Sequence, residues 1–110
     1  MTRRRVFWAK VARRDLSFIV SYLADESPQA ALAVLDRLER KSKTLGTLAE
    51  RGRIVPELAR LHVVAYRELV VPPHRVIYRV QGRRVLVVAV LDSRRNLEDV
   101  LLDRLIRITD

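Results

Sequence analysis

The sequence predicts a small α+β domain: an N-terminal strand, an antiparallel helix hairpin, a three-stranded antiparallel meander and a C-terminal helix. Three observations carry this. Residues 85–91, VLVVAVL, are apolar at all seven positions, the pattern of a strand covered on both faces in mid-sheet. The apolar segments of 62–91 are separated by two turn signals, Pro72-Pro73 and Gln81-Gly82. Between Ala12 and Thr44 the apolar spacing changes to the helical i, i+3, i+4, i+7.

Taken in order, RVFWAKV at 5–11 alternates and is rich in aromatic and β-branched residues, which favours a short strand. Leu16, Ile19, Val20 and Leu23 form one face of a first helix over about 12–25, with Tyr22 at its margin. Ser27-Pro28 is a start signal for a second helix running to about Thr44. A serine hydroxyl accepts from a free backbone N–H, and proline at the first helical position has no N–H to leave unpaired. Ala31, Val34, Leu35, Leu38 and Leu45 mark its apolar face. The connection is so short that the helices should pack antiparallel.

Residues 46–61 read as a loose connection with one possible turn of helix at Glu57–Leu61. Strands are expected at 62–71, 75–80 and 84–91, joined as an antiparallel meander. Asn96 is a suitable N-cap for a terminal helix, with Glu98 and Asp99 at the positive end of its dipole. At 110 residues the chain is expected to form one domain.

A formal charge of +9 and a pI near 11.2 create a field that attracts polyanions, either nucleic acid or an acidic protein. With no cysteine, disulfides and thiolate metal sites are excluded. No signal-peptide run or membrane-length apolar segment is present, and a cytoplasmic protein with no membrane partner is expected.

His62 and His74 have no metal-ligand spacing around them, and His74, beside the prolines, is expected to be an exposed turn residue. The glycines at 46, 52 and 82 fit no phosphate loop, and nothing marks a nucleophile elbow. Neither a metal nor another cofactor is expected. Arginine remains. Arg67, Arg75 and Arg79 on neighbouring strands, with Arg94 and Arg95 after the last, can converge on one edge or face of the sheet. The guanidinium fork suits phosphate or carboxylate. These arginines are candidates for contacting a partner or nucleic acid; equally, they can solvate the sheet and pair with Glu57, Glu68 and Asp92.

The ordered strings ARRDLSFIVSYLADESPQAA at 12–31, GRIVPEL at 52–58, YREL at 66–69, HRVIYRV at 74–80 and VAVLDSRRNLEDVL at 88–101 resemble the RelE/ParE toxin superfamily of bacterial type II toxin–antitoxin modules. The resemblance spans nearly the whole chain. It implies a compact toxin neutralised by an acidic, partly disordered antitoxin. RelE-like members cleave mRNA on the ribosome without a metal; ParE-like members poison DNA gyrase. Laid on the RelE pattern, Arg67, Arg75 and Arg94 fall at basic positions, as phosphate clamps in the alternative, enzymatic reading. The second basic position of the YREL strand is Leu69, and the tyrosine expected in the last helix falls near Val100 or Leu101. Cleavage would lack an acid–base residue, since arginine stays protonated. The resemblance therefore favours the ParE-like branch, with no catalytic residue assigned, a ParD-like antitoxin as partner and gyrase as target. One departure is Asp92, where ParE-like sequences often place histidine.

Overall fold

The structure, a computed structural model, describes residues 3–93 and Arg104. The elements are β1 (Arg5–Trp8), α1 (Lys10–Glu26), α2 (Pro28–Lys43), a 3-10 turn (Thr44–Gly46), β2 (Arg53–Ile54), α3 (Pro56–Ala59), β3 (Tyr66–Val71), β4 (His74–Gln81) and β5 (Arg84–Asp92). They build one five-stranded sheet in the order β1-β5-β4-β3-β2. β1 lies parallel to β5, and the other pairs are antiparallel. The C-terminal helix expected from Asn96 lies outside the described residues. Among the described residues, no helix is long and apolar enough to cross a membrane.

The helix hairpin forms as its capping chemistry requires. The Ser27 Oγ accepts from the Ala30 N–H at 3.2 Å, and Pro28 opens α2. The Ser27 N–H itself donates to the Leu23 carbonyl at 2.8 Å, so one residue ends α1 and starts α2. Ala12 and Leu38 are fully buried against the sheet, with Leu16, Ile19 and Val34 packed around them. Phe18 and Tyr22 fall outside this stripe and are exposed.

β5 is covered on both faces, as its unbroken apolar run requires. Val85, Val87 and Val90 face the helix hairpin, while Val88, Ala89 and Leu91 join a second cluster with Val55, Leu58, Tyr66 and Ile77. A register shift between Ile77 and Tyr78 skips Val88, so Val88 and Ala89 point to the same face. A seven-residue apolar run hides this switch, because it carries no alternation to break.

Two expectations are corrected. The strand predicted from His62 begins only at Tyr66. α3 closes with the His62 N–H on the Ala59 carbonyl at 3.0 Å and the Val63 N–H on the Leu58 carbonyl at 2.9 Å. His62 takes φ 63°, the left-handed residue of a Schellman ending, and Val63 packs into the cluster that holds Leu58. The apolar residues 63–64 therefore belong to a helix ending, not to a strand. Second, the loose segment 46–61 is ordered by long-range contacts and supplies the edge strand β2 as well as α3.

Tyr78 anchors that segment. Its hydroxyl donates to the Ala49 carbonyl at 2.7 Å and accepts from the Gly52 N–H at 2.9 Å, both buried. Gly52 lies so close to β3 that a Cβ would sit 2.4 Å from the Glu68 carbonyl oxygen. Tyr78→Phe strands a buried N–H and a buried C=O, and should lower stability by about 1–3 kcal/mol. Urea denaturation would show this as a lower midpoint with an unchanged slope.

Candidate functional site

The basic residues of the sheet do not form one site. The register of β3 on β4 pairs Val70 with Arg75 and Glu68 with Ile77, which places Arg75 and Glu68 on the sheet face away from the helix hairpin. β2 adds Arg53 opposite Glu68. Pro56 starts α3 and sets Glu57 in its first turn, over the same face.

These side chains close into a network. The Arg75 Nη1 and Nη2 donate to the two Glu57 carboxylate oxygens at 2.8 and 2.7 Å, a two-pronged fork. The Arg75 Nε donates to Glu68 Oε1 at 2.7 Å, and Nη2 also contacts that oxygen. The Arg53 Nε donates to Glu68 Oε2 at 2.6 Å. The Glu68 side chain is 0% exposed and that of Arg75 is 7% exposed. Hydrogen bonding from Arg75 outweighs the opposing effect of burial and holds the Glu57 carboxyl at a pKa of about 2. The bond to Glu57 likewise leads in raising Arg75 above its ordinary value. Arg75 is thus saturated by carboxylates and turned away from solvent. This is the pairing with Glu57 and Glu68 that the sequence left open.

Arg67 is on the other face. It pairs across with Tyr78, and its Nη1 donates to the Gly52 carbonyl at 2.8 Å. The expectation that Arg67, Arg75 and Arg79 converge is corrected. Strand alternation places Arg67 opposite in sense to the other two, and the segment 49–52 occupies its guanidinium. Arg79 shares the face of Arg75 but sits at its far end, where its guanidinium lies 5.7 Å from the Tyr66 ring centroid. Arg94 and Arg95 lie outside the described residues.

A separate groove of about 600 Å³ opens between the helix hairpin and the β4–β5 end. Ile19, Leu23, Val34 and Val90 give it an apolar floor, and Phe18 and Tyr22 line it while exposed by 79% and 71%. His74 also lines it. It is not an exposed turn residue: as the first residue of β4, paired with Asp92, it is 8% exposed. Burial is the main cause of its lowered pKa, with Asp92 opposing, so it is neutral near pH 7. At the groove wall Asp15 accepts from the Val90 N–H at 3.0 Å and from Arg104 at 2.8 and 3.2 Å. Helical periodicity alone had left Asp15 off the apolar stripe, with no sign of this role. Among the described residues no group of three His, Asp or Glu side chains could hold a metal ion.

A family model, described as the ParE toxin of the type II toxin-antitoxin system parDE, matches residues 6–97. The chain belongs to this family. It is a type II toxin of a toxin–antitoxin system. No curated protein matches it. Among solved structures it is similar to a chain of the chromosomal ParDE toxin–antitoxin system from P. aeruginosa, at 22% identity and a TM-score of 0.68 over 81% of this chain and 95% of that one. It is also similar to a chain of the toxin–antitoxin complex RelBE2 from Mycobacterium tuberculosis, at 22% identity and a TM-score of 0.58 over 84% and 93%. These likenesses show that the ParE family chain shares its α+β fold with both branches.

Two predictions test the network. Glu57 has a folded pKa depressed from 4.5 to about 2. Its contribution is therefore complete above pH 4.5 and is lost as pH falls through 4.5 toward about 2. Urea midpoints should show that the native chain loses about 2–3 kcal/mol more than Glu57→Gln between pH 6 and pH 2. Arg75→Ala leaves Glu68 buried with only Arg53 and should cost about 3–5 kcal/mol. A clear drop in Tm should accompany any loss of toxicity. A full-stability Arg75→Ala protein without toxicity would instead mark Arg75 as a contact residue.

Proposed function

We propose that the chain acts as a ParE-like inhibitor of DNA gyrase, arresting growth by protein contact without catalytic chemistry, and that a ParD-like antitoxin holds it inactive. The observation that carries the choice of branch is the state of Arg75. A ribosome-dependent nuclease reading needs Arg67, Arg75 and Arg94 to clamp one phosphate. Arg75 is enclosed by Glu57 and Glu68, and Arg67 turns to the opposite face. Leu69, a buried residue of β3, removes a further basic position. Among the described residues, Arg67, Leu69 and Arg75 offer neither a phosphate clamp nor a proton donor and acceptor for cleavage at the 2′-hydroxyl. Family membership over residues 6–97 supports the same branch.

The antitoxin assignment rests on two further features. The chain carries a net charge of +9, which suits an acidic wrapping partner, and the groove beside Phe18 and Tyr22 offers an apolar seat for an extended segment. Both similar structures are described as toxin–antitoxin systems or complexes.

The purified chain should block supercoiling by gyrase and increase the yield of trapped DNA breaks, and prior mixing with the antitoxin should abolish both effects. Absence of inhibition, together with new mRNA cuts in toeprints of stalled ribosomes, would transfer the chain to the RelE-like reading.

A further inference from the structure

The end of the second sheet face away from the Arg75 network is arranged differently. The parallel register of β1 on β5 sets Arg5 opposite Arg84 and Phe7 opposite Leu86. The antiparallel register of β5 on β4 continues these rows to Gln81 and Arg79. Paired positions share a face, and Val6 and Trp8 pack under the helix hairpin, so Arg5 and Phe7 take the other side. Arg83 occupies the adjoining turn, and its carbonyl accepts from the Arg5 N–H at 3.0 Å.

The charges here are not balanced internally. Among the described residues, Arg5, Arg79, Arg83 and Arg84 form no ion pair with a carboxylate. Two of these guanidiniums are instead steadied by neutral groups. Arg84 lies 5.8 Å from the Phe7 ring centroid. Arg79 lies over Tyr66, donates to its hydroxyl at 3.1 Å and, with the Gln81 amide suitably turned, donates to that oxygen at 2.8 Å. Stacking on a ring leaves the N–H edges of a guanidinium able to meet an anion.

Arg5 opposite Arg84 is a like-charge pair on adjacent strands about 4.8 Å apart, a placement that destabilises a sheet. On the same face the described residues supply two carboxylates to Arg75 and none to this end. An anionic ligand would remove the repulsion. Its chemistry follows from the neighbouring ring: Phe7 is 41% exposed beside the arginines. A run of carboxylates engages the guanidinium forks alone, whereas a nucleic-acid strand alternates phosphates for the forks with bases for the ring between them.

The geometry points to a nucleic-acid strand bound on this end of the sheet, with phosphates on Arg5, Arg84 and Arg79 and a base against Phe7. The site is separate from Arg67 and Arg75, and it holds whether the toxin's target is gyrase or the ribosome.

Fluorescence anisotropy with labelled single-stranded DNA and RNA of about a dozen nucleotides tests this on the full chain. Binding should weaken steeply with salt. The Arg5→Gln/Arg84→Gln double variant should weaken it at least about tenfold and lower the log–log salt slope by about 1.4, about 0.7 for each lost single-strand contact. Phe7→Ala should weaken binding with little change in slope. Lys41→Gln/Lys43→Gln, which removes the same charge from exposed positions of α2, should change affinity less than about threefold. The Tm of the Arg5/Arg84 variant should hold or rise, since a repulsion is removed. Equal weakening by the two double variants, failure of both oligonucleotides to bind, or polyglutamate binding as tightly with the same response to Arg5→Gln/Arg84→Gln would overturn the assignment.

Discussion

The buried network of Arg75, Glu68, Glu57 and Arg53 is the constraint on which the rest of the structure depends. Glu68 is 0% exposed, and a carboxylate so enclosed is satisfied only by the guanidiniums of Arg75 and Arg53 that reach it. Those contacts oblige β2 to lie on β3 and α3 to lie over β4. Tyr78 ties down the same segment from the opposite face by holding Ala49 and Gly52. A stretch interrupted by Gly52 and Pro56 thereby becomes a fixed edge of the sheet.

The network also decides how charge is distributed over the molecule. An arginine that makes four hydrogen bonds to two carboxylates contributes little field to a partner. The excess positive charge therefore lies elsewhere, at Arg5, Arg83 and Arg84 and on the exposed faces of the helices. Arg5 and Arg84 are separated from Arg67 and Arg75, the strand positions that a nuclease reading would use. The apolar groove by Phe18 and Tyr22 is distinct again, lying on the helix-hairpin side of the sheet. The fold thus keeps a charged surface and an apolar one apart, which lets two partners be recognised by different physical means.

Much of the fold is legible in residue order. Ser27-Pro28 announces the helix junction, and the Ser27 hydroxyl caps as its chemistry requires. The unbroken apolar run at 85–91 places its strand inside the sheet, and β5 lies between β1 and β4. The departures have two causes. Val63 and Val64 look like strand residues, but a left-handed His62 turns them into a helix ending. His74 looks like part of the proline turn, yet pairing with Asp92 draws it into β4. Asp15 looks solvated, but it receives the Val90 N–H from a strand remote in sequence. For His74 and Asp15 a partner far along the chain decides, and local propensity carries no record of it; for Val63 the local helix ending overrides its strand propensity.

Periodicity, caps and turn residues are properties of neighbouring residues, so the sequence alone determines the class of fold, the helix hairpin, the meander and the family. Which arginines share a face is a different kind of fact. It depends on register, on a one-residue bulge at Val88 and on a parallel pairing between the two ends of the chain. A shift of one residue moves a side chain to the opposite face, so residue type and spacing could not distinguish a converging cluster from a divided one. Only the assembled sheet sends Arg67 inward, closes Arg75 between Glu57 and Glu68, and brings Arg5 against Arg84.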